Sequence, residues 1–204
     1  MSTKYGFFDV CEQLIHSLKG AYPIKWEAFQ AASVLGEGVF GSPKPHPNLV
    51  LNLFLEQNVR FAIPIAAYRA ALGGFPSLIN NEPGAALPRL ALASAFYGMD
   101  IVRSEVSQSA HSIVCDMSLK GCRNRRCVVN GGVTSPEQRM EGLKKIHDAL
   151  FKEGRCDVLS PPSFSGVVCT NCETAVRNGY DRLRATIWEN LPRIFRVGKS
   201  WEEI

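Results

Sequence analysis

Five of the seven cysteines lie in two stretches, Cys115-Asp-Met-Ser-Leu-Lys-Gly-Cys122-Arg-Asn-Arg-Arg-Cys127 and Cys169-Thr-Asn-Cys172. A C-x-x-C sequence brings two sulfur atoms close enough to bind one metal ion. A second pair from a distant segment completes a tetrahedral four-cysteine site. The sequence therefore predicts a structural zinc ion that holds a helical domain closed, with the C-x-x-C at the beginning of a long C-terminal helix.

The choice of ligands is clear for one pair and ambiguous for the other. Cys169 and Cys172 form the first pair, and the dipole of the helix that they begin favours thiolate. Cys122 and Cys127 are the preferred second pair because the four residues between them form a short, arginine-rich loop. Cys115 ends an apolar helix face and is the substitute ligand.

An alternative is that these cysteines are buried thiols without a metal, as free cysteines often are. His111, His147 and Cys156 are further candidates as replacement ligands, although residues of these types more often lie on the surface or in the core. The alternatives remain open from the sequence.

Composition indicates the setting of the protein. The chain has 204 residues with 46% apolar and 21% charged residues, which is ordinary for a globular protein. The odd number of cysteines argues against a fully paired disulfide framework. Neither a signal peptide nor a membrane-spanning stretch is recognisable, so we expect an intracellular protein of the cytoplasm or nucleus. In a reducing compartment, clustered cysteines more often bind metal than form disulfides.

Apolar residues recur at helical spacing in seven stretches, and almost no stretch alternates with period two. These stretches are residues 7–18, 26–35, 49–57, 60–72, 90–114, 143–151 and 172–191. Helix ends are predicted at Gly20, Gly73-Gly74 and Pro192, with Asn48 as an N-cap. Pro64 either begins a helix or kinks one. The pattern predicts a mostly α fold, a helical bundle with a cysteine-rich knuckle that pins the C-terminal helix.

The length of the chain suits a single helical domain spanning residues 1–204. Its helical core would be residues 1–114, and residues 115–204 would form a cysteine-containing subregion that includes the C-terminal helix. Among the aromatic residues near the C-terminus, Trp188 and Phe195 are predicted to lie in the core. For Trp201 a core position and a partner-binding role both remain open.

Two other functions compete with a structural zinc site. The knuckle at residues 120–126 carries Lys120, Arg123, Arg125 and Arg126, which would suit a nucleic-acid-binding zinc module. No aromatic residue alternates with these arginines and the net charge is only +4, so a solvated loop tip is favoured over a nucleic-acid partner. The C-x-x-C would also suit a thiol redox protein, but the βαβ pattern typical of that chemistry is missing.

Short motifs along most of the chain resemble one protein family. They are Tyr5-Gly6-Phe7, Ala-Tyr-Pro at 21–23, the segment 59–68, Leu-Pro at 87–88, Gly-Met-Asp at 98–100, Cys169-Thr-Asn-Cys172, the segment 187–195 and Trp-Glu-Glu at 201–203. In this order they resemble the region that follows the BTB/POZ domain in an expanded family of uncharacterised mushroom-type fungal proteins. The BTB domain itself is absent from the sequence. The resemblance implies a helical, non-catalytic region that binds another protein.

Taken together, these patterns predict a protein-interaction or scaffold module with no enzymatic activity and no membrane segment. A structural zinc ion held by four cysteines would stabilise it, and its partner would be a protein.

Overall fold

The computed structural model describes residues 8–35, 46–79, 86–120, 157–160 and 169–204, together with single residues at 122, 127, 135, 137, 140, 141 and 144. Within these residues the chain is mostly helical and contains no strand, which confirms the predicted fold class. No helix among them is both long enough and apolar enough to cross a membrane.

Seven α-helices and two short 3₁₀ helices have defined bounds in the described residues. The α-helices are α1 (Phe8–Ala21), α2 (Trp26–Leu35), α3 (Pro47–Glu56), α4 (Ile63–Leu72), α5 (Gly74–Leu78), α6 (Arg89–Lys120) and α7 (Thr170–Ile194), and the 3₁₀ helices are Arg60–Ala62 and Trp201–Glu203. All of the predicted helix at 143–151 except the helical residue Lys144, and most of the predicted loops, lie outside the described residues.

The chain divides into two compact units. Met1–Asp100 and Glu189–Ile204 form the first, and Ile101–Trp188 forms the second. The predicted single domain spanning residues 1–204 stays a prediction. Trp188 and Phe195 are both buried, which confirms their predicted core positions, and Trp201 is half-buried.

The core of the first unit forms where α3 packs against α4. Phe54, Ile65 and Tyr68 are almost completely buried there. The ring of Tyr22 meets that of Phe54 edge to face with centroids 4.9 Å apart, and the Arg69 guanidinium lies 4.9 Å from the Tyr22 centroid. The apolar residues of α4 are thus largely buried, seven of the ten in this helix, because burial of apolar surface is the main favourable term in folding.

The predictions for Pro64 and Asn48 both concern helix starts. Pro64 lies in the first turn of α4, where a missing N–H costs nothing, so it begins a helix and does not kink one. The prediction of Asn48 as an N-cap was wrong. His46 is the N-cap of α3, and its Nδ1 accepts the Asn48 backbone N–H at 3.2 Å. Asn48 is instead buried inside the helix, where its side-chain amide donates to the Leu78 carbonyl at 3.4 Å.

Two of three further helix ends differ from the predictions. The prediction that Gly20 ends α1 was wrong by one residue, since the helix ends at Ala21. α4 ends at Leu72, directly before Gly73-Gly74 as predicted, and Gly74 begins α5 in the left-handed region at φ 71°. The prediction that α6 ends at residue 114 was wrong, because it continues to Lys120. Apolar periodicity fades after residue 114, but the sequence contains no residue of a helix-breaking type between 114 and Gly121.

The prediction that Pro192 stops the last helix was also wrong, since α7 continues to Ile194. Buried Leu191 and Ile194 favour continuation, and this outweighs the single backbone hydrogen bond that proline removes. The helix ends when Arg196 adopts φ 59° and the Val197 N–H bonds the Pro192 carbonyl at 2.8 Å. This left-handed residue after the last turn is the usual way for a helix to terminate, here without the usual glycine.

Several contacts anchor the end of α7 within the first unit. The Ser94 hydroxyl donates to the Phe195 carbonyl at 2.6 Å. Arg60 donates to the Val197 carbonyl at 3.1 Å. The Phe195 ring packs so closely on Gly98 that a Cβ added there would lie 2.5 Å from the ring. The lack of a side chain at position 98 therefore makes this packing possible.

A matched pair of glycine substitutions tests this packing. We expect Gly98→Ala to lower the free energy of unfolding by about 1–3 kcal/mol, because the methyl group must displace Phe195. Gly20→Ala should raise it by about 0.4–1 kcal/mol, because a methyl group there has nothing within 4 Å in a helix. Urea denaturation of both variants measures the difference. Equal effects of the two substitutions would contradict the described packing.

Candidate metal centre

The structure brings four of the predicted cysteines to one place. Cys122, Cys127, Cys169 and Cys172, hereafter the four-cysteine cluster, have sulfur atoms that all lie within 4.8 Å of one another. Two contacts join the two segments: 3.4 Å between the sulfurs of Cys122 and Cys169, and 3.7 Å between those of Cys127 and Cys172. Segments 47 residues apart in the sequence thus converge on a common point.

The distances between the sulfur atoms match the requirements of one metal ion. All four cysteines are free thiols, since a disulfide would need a sulfur–sulfur distance of about 2.05 Å. Four thiolates around zinc at about 2.3 Å form a tetrahedron whose edges are about 3.8 Å. The observed contacts of 3.4 and 3.7 Å lie close to that edge. The four-cysteine cluster could therefore hold a metal ion with little rearrangement.

The first turn of α7 positions two of the four sulfur atoms. Cys169 is the N-cap residue, and its carbonyl accepts the Glu173 N–H at 2.8 Å. The backbone N–H of Cys172, the third residue of the helix, donates to the Cys169 sulfur. That sulfur takes the place of the serine or aspartate oxygen that usually accepts this N–H. The C-x-x-C spacing therefore suits a helix start, because the cap hydrogen bond places both sulfurs on the same side of the first turn.

The proximity of the sulfurs also shifts the pKa values of the Cys169 and Cys172 thiols. Burial by itself raises the pKa of the Cys169 thiol, but the Cys172 N–H and the three neighbouring thiols lower it to about 7. Burial, with the interactions of the other three sulfurs, raises the pKa of the Cys172 thiol. The neighbouring sulfurs thus shift the pKa values of Cys169 and Cys172 in opposite directions. A bound dication would favour thiolate at each cysteine that coordinates it.

A second set of contacts holds the middle of α7 in the same unit. The hydroxyl of Tyr180 donates to the Val158 carbonyl at 3.1 Å, and Nε of Arg184 donates to the Leu159 carbonyl at 2.7 Å. Nη2 of Arg184 bonds the same carbonyl, and Nη1 pairs with Asp181 at 2.8 Å. Arg184 is buried, with 3% of its surface exposed. These bonds fix residues 157–160 against the helix independently of the cysteines.

Asp157 gives these four residues their shape. Its carboxylate accepts the Leu159 N–H at 3.2 Å and the Ser160 hydroxyl at 2.6 Å. Sequence reasoning missed this turn and the role of Arg184. One signal was present: Arg184 follows Tyr180 by four residues and so lies on the apolar face of α7, where an unpaired charge would be costly.

The structure describes the remaining candidate residues only in part or not at all. Cys115 and His111 lie in α6, but their side chains are not among the described ones. Outside the described residues lie His147, Cys156, Arg123, Arg125 and Arg126. Lys120 is the last residue of α6. The substitute ligand Cys115 and the nucleic-acid-binding knuckle at residues 120–126 therefore stay predictions.

Comparison with known proteins identifies no family for the chain. No protein-family model matches the chain, and neither the curated proteins nor the solved structures gave a significant match. The resemblance to a BTB-associated region accordingly stays an expectation.

Two substitutions at one position separate the capping role of Cys169 from its role in the cluster. In metal-free protein, we expect Cys169→Ser to retain the N-cap because the hydroxyl accepts the same N–H. Cys169→Ala should lose it and lower the free energy of unfolding by about 1 kcal/mol relative to the serine variant. Urea denaturation in the presence of a chelator provides the measurement. An alanine variant as stable as the serine variant would show that the sulfur is not a cap.

The buried arginine provides a further test within the second unit. Arg184→Leu should lower the free energy of unfolding by about 1–3 kcal/mol, because the Leu159 carbonyl loses its donors inside the protein. Arg182→Leu, at an exposed position of the same helix, should change it by less than about 0.5 kcal/mol. Thermal and urea denaturation compare the two. A similar loss for both variants would contradict the role assigned to Arg184.

Proposed function

We propose that the four-cysteine cluster binds one structural zinc ion and that the chain is a non-catalytic module that binds another protein. The observation that carries the proposal is the convergence of four sulfur atoms within 4.8 Å. They come from two segments that are distant in the sequence. Soft thiolate ligands in a tetrahedral arrangement favour zinc over hard cations such as magnesium or calcium.

The geometry also supports the kind of site. Four thiolates occupy all positions of a tetrahedral zinc ion, so no position remains for water or substrate, as in structural zinc sites. An iron–sulfur cluster would hold its cysteine ligands apart, with the iron atoms between them. Sulfur contacts of 3.4 and 3.7 Å favour a single ion.

The expected effect of the metal is on folding. Zinc would join the Cys122–Cys127 segment to the first turn of α7 and close a long loop of the chain. Closing that loop costs conformational entropy, and metal–sulfur bonds would offset this cost. Metal binding and folding would therefore be coupled. Zinc at about 1,000 times its dissociation constant would stabilise the folded state by about 4 kcal/mol.

The interaction role is supported by the motifs that resemble a BTB-associated region. In that setting the zinc ion would hold the shape of a surface and the partner would be a protein. We place the protein in the cytoplasm or nucleus, because a reducing compartment keeps the four thiols available to metal.

Metal quantification on protein purified without chelator tests the zinc site. We expect about one zinc ion per chain, as one closed site requires. Cys169→Ser and Cys172→Ser should each bind less zinc and unfold at lower urea concentration, because a ligand is lost. Cys11→Ser, in α1, serves as the matched control and should behave like the unmodified chain. A folded chain that contains no metal would contradict the proposal.

A variant at Cys115 resolves the choice of ligands in the same assay. If Cys122 and Cys127 complete the site, Cys115→Ser keeps its zinc. If Cys115→Ser loses zinc while Cys122→Ser retains it, the substitute ligand is correct.

The interaction role has its own test. Chemical crosslinking in cells, followed by mass spectrometry, should recover a protein partner with the unmodified chain and with Cys11→Ser. That partner should be lost with Cys169→Ser. If both variants recover the same partner, the interaction does not depend on the metal.

A further inference from the structure

Two close sulfur–sulfur contacts within the four-cysteine cluster join the two segments. The Cys122 and Cys169 sulfurs are 3.4 Å apart, and both residues are half-buried. The other contact joins Cys172 to Cys127 over 3.7 Å, and Cys127 is buried with only 2% of its surface exposed. Access to a small oxidant in solution is therefore unequal, with the Cys122–Cys169 pair more open than the pair that contains Cys127.

We propose that peroxide oxidises the Cys122–Cys169 pair to a disulfide and thereby releases the metal, so that the site responds to oxidants. This inference rests on the proposed zinc site. The two sulfurs need to approach by only about 1.4 Å to reach a disulfide length of about 2.05 Å.

The reaction needs no component beyond hydrogen peroxide. One thiolate attacks a peroxide oxygen, the O–O bond breaks, hydroxide leaves and a sulfenic acid forms. The second thiolate attacks that sulfur, the S–S bond forms and a second hydroxide leaves. Two thiolates lose one electron each, and peroxide gains both. Zinc loses two of its four ligands and dissociates, because the remaining pair binds it much more weakly.

Which two cysteines form the disulfide determines whether the two segments stay joined after zinc leaves. A disulfide between Cys122 and Cys169 keeps the two segments joined after zinc leaves, so α7 retains a covalent connection where the metal was. A disulfide between Cys169 and Cys172 would join residues of the same helical turn and free the other segment. The 3.4 Å contact favours the first outcome. The oxidised protein would then remain folded, and a thiol reductant would restore zinc binding.

The arrangement of arginines makes the disulfide straightforward to identify. Arg123, Arg125 and Arg126 separate Cys122 from Cys127, so trypsin places these two cysteines in different peptides. Cys169 and Cys172 remain together in one peptide of residues 156–177. A disulfide between segments links two peptides, whereas one within the C-x-x-C leaves a single peptide with a smaller mass. Fragment spectra assign the linked cysteine.

The experiment treats the zinc-loaded full chain with hydrogen peroxide while a chromogenic chelator records zinc release. Aliquots are alkylated and digested for mapping. We expect release of about one equivalent of zinc, with the Cys122–Cys169 link forming in parallel, and renewed zinc binding after reduction. Once Cys115→Ser and Cys156→Ser are found to keep their zinc, a variant with serine at positions 11, 115 and 156 retains the four cluster cysteines and should respond in the same way.

The outcomes separate this inference from the proposed function. A zinc-loaded chain that keeps its metal under treatment, or that releases it with a Cys169–Cys172 disulfide as the first product, overturns the inference alone. Loss of the response in the triple serine variant, with zinc still bound, also overturns it. A chain that binds no zinc before treatment overturns the proposed function and this inference with it.

Discussion

Four sulfur atoms that lie within 4.8 Å of one another constrain the start of α7 in the second unit. Such a group cannot ionise fully by itself, because each thiolate raises the cost of the next. Burial and the other three sulfurs raise the pKa of the Cys172 thiol, whereas the Cys172 N–H and the three neighbouring thiols lower the pKa of Cys169. A dication at the common point would offset the repulsion between thiolates. The convergence of the four sulfurs is the reason for proposing a metal here.

The second unit holds α7 at two places by different means. At the helix start, Cys169 accepts the cap hydrogen bond and contributes to the cluster, so the local fold positions the site before any metal binds. Farther along, Arg184 and Tyr180 bind the backbone of residues 157–160 through direct hydrogen bonds. The second set of bonds does not depend on protonation or on oxidant. The middle of α7 is thus held by direct hydrogen bonds, and its start lies in the four-cysteine cluster.

The features that could be predicted are those whose sequence pattern lies within a few neighbouring residues. The C-x-x-C pair was predictable because two ligands three positions apart at a helix start are a local pattern. The helix α2 was predicted with its bounds because its apolar spacing and flanking residues agree. Asn48 and Pro192 were misjudged because tertiary burial outweighed their local preferences. Arg184 could not be assigned a partner from sequence, since the Leu159 carbonyl that it binds lies in a separate segment.

X-ray absorption at the zinc edge, on the full chain purified without chelator, tests the central claim most directly because it reports the atoms bound to the metal. The account predicts a single shell of four sulfur atoms at about 2.3 Å. A shell that contains nitrogen or oxygen atoms, or a chain from which zinc is absent, would contradict it.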